Sequence, residues 1–154
     1  MKSVISTSKL SVLAAVFGVA ILTAACSSTS MKGADAAPMM PAAAMLSGAQ
    51  EVPANPSVAT GKSTLTVAAD KTVSGMVSYS GMSATAAHIH EAAAGKNGGV
   101  IVPLKKESGD SFSAPDGAKL TDAQYASYQA GNLYVNVHSA TYPGGEIRVQ
   151  LSPK

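Results

Sequence analysis

Two runs near the end of the chain alternate with a period of two residues, and nothing else in the sequence restricts the fold as much. In "NLYVNVHSA", Leu133, Val135 and Val137 alternate with Asn132, Tyr134, Asn136 and His138. In "EIRVQL", Ile147, Val149 and Leu151 alternate with Glu146, Arg148 and Gln150. Successive side chains of a strand leave opposite faces, so each run has one apolar and one polar face. "TYPGG" lies between them and supplies Pro and Gly for a turn, which predicts an antiparallel hairpin.

The same pattern recurs upstream. "GKSTLTVAADKTVSGMVSYSG" alternates Leu65 and Val67 with Thr64 and Thr66 and breaks at "ADK". It resumes with Val73, Gly75, Val77 and Tyr79 on one face, a second hairpin. "AAHIHEA", "GGVIVPL" and "DSFSAP" read as further strands, with Pro103 fitting only an edge or a strand end. "TDAQYASYQAGN" differs in kind. Thr121 and Gln124 fit a capping box, Asp122 suits a helix N-terminus and Gly131 stops it, predicting a short helix over about 122–129 with Tyr125 and Tyr128 packed on the sheet. The fold class is all-β: a Greek-key-like β-sandwich or barrel of short antiparallel strands with one short helix.

The chain opens with Lys2 and Lys9, an apolar run from Leu10 to Ile21, small residues and then Cys26, the layout of a secretory signal. "LTAAC" resembles a bacterial lipobox, in which the cysteine becomes the first mature residue and carries acyl chains of the palmitate kind. Several chains hold a protein to a bilayer far more firmly than one. Acylation would also resolve the presence of a single thiol with no partner. Ser27 follows where an Asp would signal inner-membrane retention, so the expected destination is the outer membrane, facing the periplasm or cell surface. Residues 1–25 are therefore read as a signal peptide, 26–45 as a lipid-anchored tether and 46–154 as the folded domain. Within the tether, Met31, Met39, Met40 and Met45 could offer thioethers to Cu(I), although low complexity explains them as well. Removing residues 1–25 leaves nine basic against nine acidic side chains with no basic run, which argues against nucleic acid as a partner.

Three segments together carry a resemblance: "GAQEVP", "AAHIHEAAAGKNGGVIVPL" and "AGNLYVNVHSATYPGGEIRVQL". Over about residues 46–152 the chain resembles the CHRD family, named after chordin and found in many bacterial secreted proteins. The resemblance implies an extracytoplasmic β-sandwich and implies little about activity.

The chain has three histidines, all inside that stretch. His88 and His90 stand two apart, so on a strand both imidazoles leave one face, with Cβ atoms roughly 6–7 Å apart. His138 lies on the polar face of its own strand. If the strands are neighbours, three neutral imidazoles converge, a donor set suited to copper or zinc. Glu146, which begins the strand paired to that of His138, could ligate the ion or orient a ligand imidazole from behind, and Asn136 could support the ligands from behind as well. The competing reading makes the histidines hydrogen-bonding locks for the "AAAGKNGG" loop, with Asn97 and Asn136 as partners.

Two functions follow. One is a lipid-anchored metal-binding module, holding copper, or zinc, at His88, His90 and His138 for storage, handover or tolerance. The other is a non-catalytic domain whose loops Ala92–Gly99 and Ser139–Gly145 meet a protein or a glycan. An enzyme is not expected. H-x-H on a β-sandwich resembles the copper arm of copper–zinc superoxide dismutase, but that pattern needs more histidines, an Asp and a disulfide. No G-x-S-x-G, H-E-x-x-H or P-loop occurs, and no catalytic residue is assigned.

Overall fold

The computed structural model describes residues 43–153; the signal segment, Cys26 and the methionines at 31, 39 and 40 lie outside the described residues. Among the described residues, eleven strands and one α-helix follow each other, with a 3-10 turn at Gly48–Gln50: β1 (Ala44–Ser47), β2 (Thr60–Ser63), β3 (Thr66–Val67), β4 (Val73–Ser74), β5 (Met76–Ser80), β6 (Ala84–Glu91), β7 (Gly99–Pro103), β8 (Lys105–Lys106), β9 (Ser111–Ser113), α1 (Asp122–Gln129), β10 (Leu133–Ser139) and β11 (Ile147–Leu151).

Nine strands form one sheet in the order β7-β6-β10-β11-β1-β2-β5-β9-β8, and each neighbouring pair in it is antiparallel. The two edge strands, β7 and β8, are separated in the chain by Leu104 alone. Strands sit about 4.8 Å apart, so a flat sheet of this width would hold its edges nearly 40 Å apart. One residue cannot cover that distance. The sheet must curl until its edges meet, which leaves a nearly closed barrel. Leu104 seals the junction, donating its N–H to Ala87 O on β6 at 2.9 Å and burying its side chain. Of the two architectures left open by the sequence, the barrel is the one found.

The inward face carries the alternating apolar residues. Ile89, Leu133, Val135, Val137 and Ile147 come from contiguous strands and are fully buried, with Val77 and Phe112 among the residues that complete the same core cluster. The first predicted hairpin is present but longer than expected. β2 pairs β5 and β3 pairs β4 in a continuing register, Ser63 opposite Val77 and Thr66 opposite Ser74, with Gly75 at the break. Gly75 has φ +104°, and a Cβ there would lie 2.4 Å from Thr64 O, so a side chain is excluded by backbone angle and by space.

Helix α1 begins and ends as its caps require. Thr121 Oγ1 accepts from Gln124 N at 3.2 Å and Gln124 Oε1 accepts from Thr121 N at 2.9 Å. Tyr128 is buried in the core and Tyr125 packs against it. One boundary moves. β1 starts at Ala44 and pairs Ala44 with Ser63 and Met45 with Lys62, so Ala44 and Met45 belong to the barrel and not to the tether. Among the described residues no helix is long and apolar enough to cross a membrane.

Candidate metal centre

β6 and β10 are adjacent and antiparallel, with His90 opposite Tyr134 and His88 opposite Asn136. Directly opposed residues share a face, so His88, His90, Tyr134, Asn136 and His138 all leave the sheet on its outer side. Strand β11 adds Arg148, opposite Asn136, and Gln150, opposite Tyr134. On a solvated barrel this face would be wet, yet here it is buried. His90, Asn136, His138 and Arg148 are each less than a tenth exposed. The cover is made of loops. The β6–β7 loop folds back so that Lys96 O accepts from Arg148 at 2.8 Å and Asn97 Oδ1 accepts from it at 3.1 Å. The same loop is tied to Glu51–Asn55 where Asn97 Nδ2 donates to Val52 O at 2.6 Å.

The three imidazoles meet. Each offers a ring nitrogen, and these atoms all lie within 4.8 Å of one another. His88 Nδ1 and His138 Nε2 are the nearest pair, at 3.0 Å. Ring centroids are 4.8 Å apart for His88–His138, 5.6 Å for His88–His90 and 6.0 Å for His90–His138.

Backbone carbonyls fix which nitrogen is free. His90 Nδ1 is 3.0 Å from Gly98 O, and His138 Nδ1 is 3.0 Å from Pro143 O. A carbonyl can only accept, so each Nδ1 carries the hydrogen and each Nε2 keeps a lone pair. Metal-ligating histidines are held in this way, by a hydrogen bond on the nitrogen that does not ligate. His90 Nε2 is buried with no hydrogen-bond partner in the protein. His138 Nε2 meets only His88 Nδ1, where one shared hydrogen sits and where an ion could replace it. The donor set fits a metal ion on both counts.

Electrostatics act in the same direction. Burial lowers the pKa of all three histidines below the usual imidazole value. At His88 the neighbouring His138 and His90 lower it further. At His90 and His138 the carbonyl bonds oppose the shift without reversing it. Neutral imidazole is the ligating form, so protons compete little for these nitrogens near neutral pH.

His90 is also locked from the side. Its ring stacks on Tyr134 with centroids 4.8 Å apart and planes 6° from parallel, and the Arg148 guanidinium lies 3.3 Å over the Tyr134 ring. Sequence pattern alone placed Tyr134 and Arg148 on a polar face without giving them a role. Their parity with His138 was the available signal.

The two residues expected behind the ligands divide. Asn136 lies within reach of both His90 and Glu51, so it is placed to act on the site. Glu146 is not. It immediately precedes β11, its carboxylate accepts from Ser57 Oγ at 2.6 Å, and it stands outside the histidine group. The segment carrying Ser57 draws it away from the imidazoles. Glu91 likewise faces elsewhere, accepting from Ser127 Oγ.

Gly98 gives a direct test of the carbonyl support. A Cβ on it would lie 1.8 Å from Glu91 O, so the loop backbone must move to admit alanine. Gly98→Ala is expected to cost about 1–3 kcal/mol of stability and to release His90 Nδ1 from its acceptor. Urea unfolding, together with the ring-proton NMR shifts of His90, measures both effects.

A family model described as CHRD domain matches residues 42–151. No curated protein and no solved structure matches the chain.

Proposed function

The chain belongs to the CHRD domain family, and on that footing we propose that it is a metal-binding module. It holds one ion, copper in preference to zinc, on His88, His90 and His138, for storage, handover or tolerance, and is not an enzyme. The observation that carries this reading is the pair of carbonyl-anchored rings, His90 and His138, whose Nε2 atoms are left as lone-pair donors beside His88. Three neutral imidazoles suit Cu(II) or Zn(II), with a fourth position left for water or a partner's ligand. Acylation at Cys26 would hold the module at the outer membrane, facing the periplasm or cell surface, and the short tether would let it reach partners there.

Titrating the purified protein with Cu(II), Cu(I) and Zn(II) beside a His88→Ala/His90→Ala variant tests the proposal. Submicromolar binding by the wild type that disappears in the variant supports it. Equally weak binding by both sinks it.

A second reading has one observation in its favour. Residues Val52–Asn55, Asn97 and Thr141–Gly145 line a cleft of about 470 Å³, within the size range of ligand sites. Two of the loops expected to meet a protein or glycan border it. If recognition is the role, Tyr142→Ala should abolish partner capture and leave metal affinity unchanged, as judged by pull-down and metal titration on the same variant.

A further inference from the structure

Two buried acceptors meet inside the centre with no hydrogen between them. His90 Nε2 and Asn136 Oδ1 are both shielded from solvent, and neither has a hydrogen-bond partner. The residues that carry them are 7% and 2% exposed. The Asn136 carboxamide lies within reach of the His90 ring, in a contact of the kind that stabilises a positively charged imidazole, so it presents its oxygen there. Burying an acceptor with no donor is costly, and packing does not explain two that converge.

The amide cannot be turned over to supply the missing hydrogen. Its Nδ2 end donates to Gly144 O at 3.3 Å and faces the Glu51 carboxyl. Gly145 closes that side: a Cβ on it would lie 2.5 Å from both Asn136 Nδ2 and Glu51 Oε1. Rotating the amide by half a turn would set Oδ1 against a carbonyl oxygen and a carboxyl oxygen, neither of which donates. The backbone register also puts Asn136 among the imidazoles. It stands directly opposite His88, diagonal to His90, and two residues before His138 on the same face of β10. Opposed residues of an antiparallel pair carry their Cβ atoms only about 5 Å apart, and diagonal neighbours remain within side-chain reach.

We propose that Asn136 is a fourth ligand of this centre: its Oδ1 joins His88, His90 and His138 on the ion and takes the position otherwise left to water. The proposal rests on the metal reading above and adds a donor that the three histidines do not require. It accounts for both orphaned atoms at once, because one cation accepts the lone pairs of His90 Nε2 and Asn136 Oδ1 together. A carboxamide oxygen is a neutral, hard donor. Added to three imidazoles it suits Zn(II) or Cu(II), and it adds little for soft Cu(I). Asn136 therefore biases the site toward divalent ions.

Carbon-13 and nitrogen-15 NMR of the wild type, with and without Zn(II), reads the ligation directly. On loading, the Asn136 carboxamide resonances should shift together with the ring resonances of the three histidines. Ring shifts beside an unmoved Asn136 carboxamide overturn the proposal and leave the metal reading intact. A wild type in which neither set moves overturns both, so the two failures are distinguishable. The bias is read by metal competition on Asn136→Ala. The variant should lose roughly tenfold or more in Zn(II) affinity, while its Cu(I) affinity changes far less. A residue that merely props the histidines would affect both ions alike, so equal effects on the two overturn the proposal. If Asn136→Ala does not fold, the wild-type spectra decide alone.

Discussion

His138→Ala is expected to lower metal affinity roughly a hundredfold or more, measured by competition against a chromogenic chelator. Removing a group that merely supports a ligand already costs about 10–100-fold, and a ligand itself sets a higher floor. His138 joins two elements of the site. Its Nδ1 is tied to the β10–β11 turn through Pro143 O, and its Nε2 faces His88 Nδ1 at 3.0 Å. The variant leaves the His88–His90 pair on one strand, which can still bind an ion as a two-point chelate. Its residual affinity should therefore exceed that of the His88→Ala/His90→Ala double variant. If His138→Ala binds as tightly as the wild type, the ion does not bridge β6 and β10, and the three-histidine assignment fails.

Arg148→Ala is expected to have the largest effect on stability, about 3 kcal/mol in urea unfolding. Arg148 heads the largest fully buried side chains and is 2% exposed. Two opposing effects must be weighed. Removing a buried charge is favourable in itself, and among the described residues Arg148 has no salt bridge to a carboxylate. Against this stand the stack on Tyr134, the bonds to Lys96 O and Asn97 Oδ1, and the void left by a long side chain. A hydrogen bond from a charged donor contributes about 1.5–3 kcal/mol, and a desolvated cation–π contact about 2 kcal/mol more. Loss of contacts therefore outweighs relief of the charge. Arg148→Lys should recover little, because an ammonium cannot both lie flat on Tyr134 and reach two acceptors. The loss should also spread to the site. Arg148 pins the loop whose Gly98 carbonyl orients His90, so metal affinity should fall with stability. An Arg148→Ala protein as stable as the wild type would show that the loops, and not this stack, keep the polar face dry.

The parts of the fold legible in the sequence are those where side-chain alternation and burial coincide. β10 and β11 fall where Leu133–Val137 and Ile147–Leu151 alternate, and α1 spans Asp122–Gln129 because its capping box and its terminating glycine are both explicit. β2 was illegible for a physical reason. Its inward-facing positions are Gly61 and Ser63, not apolar residues. Gly61 has no room for a side chain, since a Cβ would lie 2.9 Å from both Ser78 O and Ile147 Cδ1. A strand whose core face must be small carries no hydrophobic signal. Barrel closure was equally hidden, because it depends on Leu104 joining two edge strands and on no local pattern.

The site divides along the same line. Spacing and parity placed His88, His90 and His138 on faces that could meet, and the register of β6 against β10 brings them together. Parity could not show that the polar face is roofed by loops. For that reason Tyr134 and Arg148 carried only a polar-face assignment, Glu51 drew no reading, and Glu146 looked better placed than it is. Alternation reports which side of a sheet a residue takes. It does not report whether that side meets water.

X-ray absorption of the copper-loaded protein at the copper edge tests the central claim most directly. Three imidazoles sharing one ion predict a first shell containing three nitrogen donors at about 2.0 Å with the outer-shell scattering of imidazole rings. A shell of oxygen donors, or a spectrum that needs no more than one imidazole, would contradict it.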